Sequence, residues 1–185
     1  MQQSAASVGV AIRSSSVTTV AWLRGILADD YGVDLGKVKW VTFEEAHVAE
    51  YRDPPNTERA PAGKTPLNML LEGEVDAAVL SDPVPQDPRL QTVIPDPQAA
   101  IADWRRRKAS LQINHMVAVK TSLAPEIRRE VFRLLQESKN LGAKESETCP
   151  FGIEENRQNL EVAIDYVFRQ GLIPKRYTVD ELFEA

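Results

Sequence analysis

The sequence predicts an α/β fold with a largely helical C-terminal part. Short apolar segments alternate with helical periodicity as far as Leu80, a pattern typical of neighbouring parallel strands joined by helices. Five prolines between Ser81 and Pro97 interrupt the alternation, and helical periodicity predominates after Val119. We therefore expect an α/β lobe at residues 1–82, and a connector, one strand and the C-terminal helices at residues 83–185.

The predicted lobe begins with a strand, a helix and a second strand. Apolar residues alternate with small ones at 8–12, and a helix is predicted from Val17 to Tyr31 with Gly32 as its C-cap. A second strand follows at Val38–Thr42. Serine and threonine side chains occupy the helix entry, where a hydroxyl usually caps the first turn.

The middle of the chain is predicted to hold a long loop, a short helix and a third strand. Four prolines at Asp53–Pro66 predict the loop, and Thr65 then caps a helix that stops at Gly73. A buried strand is predicted at Val75–Leu80. The remaining predicted elements are a helix at Gln98–Lys108, a strand at Leu111–Val119, and helices at Ala124–Ser138, Glu154–Gln170 and Val179–Phe183.

Composition excludes several classes of function. A net charge of -5 and a pI near 5.2 provide no broad basic surface, so nucleic acid is not an expected partner. No apolar run approaches the roughly 20 residues that cross a bilayer, and Met1–Ser4 lacks signal-peptide features. We therefore expect a cytoplasmic protein, or a periplasmic one if a signal peptide lies upstream. The single Cys149 excludes an internal disulfide, and we expect no metal or cofactor.

Three groups of segments resemble one protein family. They are Trp22–Leu27 with Asp30–Val33 and Trp40–Phe43; Glu58–Arg59 with Gly73–Ala78; and Pro150–Glu154 with Asn156, Arg157, Tyr166, Gln170–Leu172 and Glu181–Phe183. Together they are similar to the downstream portion of the 4,5-dihydroxyphthalate decarboxylase-like family. The resemblance implies a type 2 periplasmic-binding-protein fold that holds a small organic acid between two lobes. It also implies that the C-terminal helices belong to the second lobe, whose N-terminal part is absent here.

The helix entry is a candidate carboxylate site. Hydroxyl groups, free backbone N–H groups and the helix dipole can together hold a carboxylate without a basic residue. Simple N-capping is the alternative interpretation. The candidate substrate-binding residues at this entry are Ser14, Ser15, Ser16, Thr18 and Thr19.

Two histidines are candidate acids. His47 follows a predicted strand beside Glu44 and could act as a general acid, or the two could belong to an exposed charged turn. His115, preceded by Asn114, is either a core histidine or, as the resemblance implies, a residue beside the cleft. Glu44, His47 and His115 lack the spacing of a firm metal site.

The resemblance implies decarboxylation of a hydroxylated aromatic dicarboxylate, such as 4,5-dihydroxyphthalate, to a protocatechuate-like product and CO2. His47 or His115 would supply the proton, and Glu44 would accept one from the phenol. Arg52 or Arg59 would hold the retained carboxylate in bidentate fashion, with surface salt bridges as the alternative.

Two further expectations concern partners. The alternative function is that of a solute-binding protein, part of an ABC-type transporter, for a small organic acid. Both functions require a small aromatic or organic acid as the ligand. We also expect a homo-oligomer, because the helices after Val119 have no sheet of their own to cover them.

Overall fold

The computed structural model describes residues 7–81, 83–142 and 150–183, so Cys149 lies outside the described residues. The chain divides into two compact units. The first contains the described residues up to Ile101 together with Tyr166–Pro174, and the second contains Ala102–Asp165 and the described residues from Lys175 onward. The predicted α/β class with a helical C-terminal part is confirmed.

Within the residues that the structure describes, the first unit is built on a parallel sheet of four strands. The strands are β1 (Gly9–Ile12), β2 (Lys39–Thr42), β3 (Thr57–Arg59) and β4 (Ala77–Ala78), in the order β3-β2-β1-β4. Every neighbouring pair is parallel, with Val10 opposite Trp40 in the centre of the sheet. β4 is shorter than the predicted strand at Val75–Leu80. β3 lies inside the stretch that was predicted to be a loop without regular structure.

Two helices cover opposite faces of this sheet. α1 (Thr18–Tyr31) ends at Gly32, whose φ of 64° is the predicted left-handed C-cap. α2 (Pro66–Leu71) begins at Thr65, whose hydroxyl accepts the Asn68 N–H at 3.1 Å, again as predicted. The α1 face buries Ile12, Val20, Val38 and Trp40, whereas the α2 face buries Ala11, Val41, Met69 and Val75.

The second unit is helical. Its helices are α3 (Pro97–Lys108), α4 (Pro125–Leu141), α5 (Ile153–Arg169) and α6 (Val179–Phe183), and its buried apolar residues are Trp104, Leu160, Ile164 and Val179. α3 begins, and α5 ends, in residues assigned to the first unit. None of the helices in the described ranges has the length and apolar character of a membrane span.

The strand predicted at Leu111–Val119 is wrong. The fully described stretch 110–120 contains no regular element. A strand needs a partner for its backbone groups, and the Leu111 N–H instead donates to the side chain of Asn159 at 2.7 Å. Apolar alternation therefore indicated a strand at a place where no strand of the described ranges pairs with it.

Candidate functional site

The chain leaves β1 through a buried serine turn and enters α1. Ser14 and Ser15 are 1% and 0% exposed, whereas Thr18 and Thr19 are exposed. The N-cap of α1 is Val17, which provides no side-chain hydrogen bond to the first turn. The expectation that a hydroxyl caps this helix is therefore wrong. Ser16 is not available as a cap because its Oγ accepts the backbone N–H of His47 at 2.8 Å.

Predicted catalytic residues meet beyond the carboxyl ends of β1 and β2. His47 Nε2 lies 3.4 Å from Glu44 Oε2, and Arg13 Nε donates to both oxygens of Glu44, at 2.8 and 2.7 Å. The backbone N–H groups of Phe43 and Glu44 also bond to the carbonyl of Arg13, at 3.1 and 2.9 Å. Hydrogen bonds thus join Ser16, His47, Glu44 and Arg13 into one polar network, called here the His47 network.

Within the His47 network, Arg13 keeps Glu44 in its charged form. The hydrogen bond from Arg13 is the main reason that the pKa of the Glu44 carboxyl lies below its ordinary value, and the His47 hydrogen bond acts in the same direction. Glu44 is therefore ionised near neutral pH and faces the imidazole as a carboxylate. Glu44 and His47 are both exposed, so a small acid can approach them from solvent.

The two arginines predicted to bind substrate are exposed and already have partners. Arg52 Nη1 donates to the backbone carbonyls of Ala49 and Tyr51, at 2.7 and 3.0 Å. Arg59 forms an ion pair with Glu45. Arg59 thus fits the surface salt bridge that was its alternative interpretation, and substrate binding by either arginine stays a prediction.

Asn114 and His115 belong to the second unit. Both are exposed and lie in the irregular stretch 110–120, so His115 is not a buried core histidine. Their predicted roles in catalysis and substrate binding stay predictions. Within the described ranges, the protein contains no group of three His, Cys, Asp or Glu side chains arranged to hold a metal ion.

A buried arginine that was not predicted from the sequence lies on the sheet-facing side of α1. Arg24 is 3% exposed, and its guanidinium stacks over the Trp40 ring with 4.2 Å from Cζ to the ring centroid. Nε and Nη2 of Arg24 have no hydrogen-bond partner among the described residues. Burial lowers the pKa of Arg24, yet an arginine remains protonated in proteins. The first unit therefore holds a buried positive charge.

Two hydroxyl groups near Arg24 are also without partners. Ser15 Oγ and Tyr51 Oη are both buried atoms that make no hydrogen bond within the described part of the chain. Burial is the main reason that the pKa of the Tyr51 phenol is raised, and the charge of Arg24 and the close side chains of Arg24 and Ser15 oppose this effect. Because side chains of an α-helix point toward its N-terminus, Arg24 extends from α1 toward the serine turn. Ser15, Arg24 and Tyr51 are called here the Arg24 cluster.

One signal in the sequence could have identified Arg24. It follows Val20 by four positions and precedes Leu27 by three, which places it on the apolar face of α1. A charged residue on a core-facing stripe is unusual, because burial of an unpaired charge is unfavourable. No comparable signal identifies Tyr51, since its position depends on how the chain folds back after β2.

Comparison with known proteins supports the resemblance at a coarse level. No family model matches the chain. Over 135 residues the chain is 27% identical to a 4,5-dihydroxyphthalate decarboxylase from Comamonas testosteroni. The match covers 63% of this chain and 39% of that enzyme. The chain thus spans well under half the length of that relative, and the similarity suggests a related family.

Proposed function

We propose that the chain acts in the decarboxylation of a hydroxylated aromatic dicarboxylate similar to 4,5-dihydroxyphthalate, with a protocatechuate-like product and CO2. The observation that carries the proposal is the contact between His47 and Glu44 beyond the carboxyl ends of β1 and β2. In parallel α/β sheets, ligands bind at this end of the strands. The similarity to a decarboxylase supports the choice of reaction.

The reaction needs one proton at the carbon that carries the departing carboxylate. A hydroxyl group ortho or para to that carbon donates electron density to the ring, so that the carbon can accept a proton. Loss of CO2 then restores aromaticity, and the bond to the carboxylate is replaced by a bond to hydrogen. An imidazolium at His47 supplies this proton and regains one from solvent, as expected for a general acid exposed to water.

Glu44 has a positioning role in this proposal. A carboxylate that accepts two hydrogen bonds from Arg13 is a weak base, which makes it less suitable for removing the phenol proton. The same carboxylate can orient the imidazole of His47 through the contact between Oε2 and Nε2. Ser16 fixes the other end of the residue by accepting the His47 backbone N–H.

The test measures CO2 release from 4,5-dihydroxyphthalate by the 185-residue chain and by single variants. His47→Gln is expected to lower kcat about a hundredfold or more, the usual contribution of a general acid. Glu45→Gln is the matched control, because it removes a neighbouring carboxylate that pairs with Arg59 and not with His47. His115→Gln tests the second predicted acid in the same assay.

The outcomes separate the candidate functions. CO2 release that is equal in the parent and the His47→Gln variant would rule out the proton-donor role of His47. Calorimetric binding of the dicarboxylate by a folded parent chain that releases no CO2 would contradict the decarboxylase proposal and support a solute-binding protein instead.

A further inference from the structure

Among the described residues, the guanidinium of Arg24 forms no ion pair with a carboxylate, unlike several other arginines of the first unit. Its charge is influenced by Asp53, but that exposed carboxylate forms no ion pair with it. Stacking over Trp40 occupies the face of the guanidinium, and the Tyr51 hydroxyl, which is not a carboxylate, lies beside its N–H groups. Arginines in the first unit that are paired with a carboxylate include Arg13 with Glu44, Arg59 with Glu45, Arg89 with Asp87 and Arg169 with Asp29.

The two unpartnered nitrogens of Arg24 form one edge of the guanidinium. Nε and Nη2 donate in parallel, which matches the two oxygens of a carboxylate. The same pair of nitrogens binds a carboxylate elsewhere in this structure. Examples are Arg89 with Asp87, at 2.9 and 2.6 Å, Arg133 with Glu130, at 2.8 and 2.7 Å, and Arg157 with Glu154, at 3.0 and 2.6 Å.

Two hydroxyl groups and the N-terminal end of α1 also favour a negatively charged group near this edge. Ser15 Oγ and Tyr51 Oη are buried, and Tyr51 lies beside both Ser15 and Arg24, but neither oxygen makes a hydrogen bond of full geometry in the described part of the chain. The first turn of α1 has no side-chain cap and no acidic residue, so its positive dipole end is not neutralised locally. Four features therefore favour negative charge near the start of α1, and Tyr51 is the member of the cluster that is partly exposed.

We propose that the Arg24 cluster binds a carboxylate group of a small organic acid, with the Nε and Nη2 edge of Arg24 holding its two oxygens. Ser15 and Tyr51 donate to the same carboxylate. The identity of the acid as an aromatic dicarboxylate rests on the proposed function. In that case, Arg24 holds the carboxylate that the product retains, while His47 faces the one that leaves.

The test is calorimetric titration of the full chain with phthalate, which has two carboxylates and no reacting hydroxyl. Arg24→Met is expected to weaken binding about thirtyfold, the factor expected for one charge-assisted contact. Tyr51→Phe and Ser15→Ala are each expected to weaken it about fivefold, because each removes one hydroxyl donor. Arg89→Met is the matched control and leaves affinity unchanged, since Asp87 already occupies the same edge of Arg89.

Thermal unfolding of the ligand-free variants distinguishes ligand binding from a structural role. If Arg24 holds a ligand, its replacement by Met removes an unpaired buried charge and leaves the melting temperature unchanged or raised. If Arg24 is instead structural, Arg24→Met lowers the melting temperature, and Tyr51→Phe and Ser15→Ala bind phthalate like the parent. That second result would overturn the proposal, even where Arg24→Met does not fold well enough for titration.

The proposed function and this inference can fail separately. Phthalate binding that depends on Arg24, in a chain that releases no CO2, would leave the carboxylate site intact and reject the decarboxylase. CO2 release with the same KM in the parent and the Arg24→Met variant would reject the carboxylate site and retain the decarboxylase.

Discussion

Gly25 of α1 lies against the ring of Tyr166, so closely that a Cβ at position 25 would overlap the ring atoms. The same tyrosine packs edge-on against Trp22, with 5.6 Å between ring centroids. Tyr166 is 2% exposed, so its ring has little room to move away. Contact of this kind allows the end of α5 to approach the backbone of α1 directly.

Gly25→Ala is therefore expected to destabilise the protein by about 1–3 kcal/mol, the usual effect of overpacking a core. Urea unfolding followed by circular dichroism measures the change. Gly142→Ala is the control, because its φ is -70° and an added Cβ there approaches no atom of the described residues closer than 3.4 Å. Equal stability of the parent and the Gly25→Ala variant would show that Tyr166 does not pack on α1 as described.

Asn56 connects the start of β3 to the segment before β2 through hydrogen bonds. Its Nδ2 donates to the carbonyls of Leu35 and Val38, at 2.9 and 2.7 Å, and its own carbonyl accepts the Trp40 N–H at 2.9 Å. Asn56→Ala leaves two partly buried carbonyls without this donor and is expected to lower the free energy of unfolding by about 1–3 kcal/mol. Asn68→Ala, at an exposed position of α2, is the control in the same urea titration.

The ionisation of Glu181 makes the stability of the second unit depend on pH in the acid range. The pKa of Glu181 is lowered to about 2, chiefly by the hydrogen bond from Lys175 and next by the hydrogen bond from the Thr178 N–H. A folded-state pKa below the unfolded value contributes stability that is present above about pH 4.3 and is lost as pH falls toward 2. Glu181→Gln is therefore expected to make the decline in melting temperature over this interval shallower.

Lys175→Met should have the same effect, because it removes the partner that lowers the pKa of Glu181. Melting temperatures measured at several pH values between 5 and about 2 check both variants against the parent. A decline of the same slope in all three proteins would contradict the assignment of this acid dependence to the Lys175–Glu181 pair.

Helix α4 has exposed apolar side chains that could form the interface of the expected homo-oligomer. It has no buried residue, and its exposed apolar side chains include Ile127, Phe132, Leu134 and Leu135. We predict that the chain self-associates through this helix and that Leu134→Glu shifts it toward the monomer. Light scattering during size-exclusion chromatography measures the mass, with Gln136→Glu on another side of α4 as the control. A parent protein that is monomeric at micromolar concentration would refute this prediction.

The elements that the sequence predicted well are those specified by local chemistry. The bounds of α1 followed from its apolar spacing and from Gly32, and the start of α2 followed from Thr65 and Pro66. Strand pairing is not local, which is why Leu111–Val119 was wrongly predicted to be a strand. β3 was missed for the converse reason, because a short polar segment becomes a strand here only through its pairing with β2.

In the candidate site, too, contacts between residues close in sequence could be predicted, and contacts between distant residues could not. His47 and Glu44 are three residues apart, so their contact could be anticipated from the chain itself. Arg24 and Tyr51 come from different parts of the chain, and their lack of hydrogen-bond partners is a property of the folded unit. A sequence shows which groups are polar, but only the folded structure shows which of them are buried with no partner.

The strand order has a consequence for synthesis of the protein on the ribosome. β1 leaves the ribosome before the other strands, yet its two neighbours in the sheet are β2 and β4. The nascent chain must therefore carry an incompletely paired central strand until β4 has emerged, and α1 keeps its Gly25 surface uncovered until Tyr166 is made. Arrest of translation between β4 and α5 should yield a nascent chain in which the four described strands can pair while α1 remains accessible to proteases and chaperones.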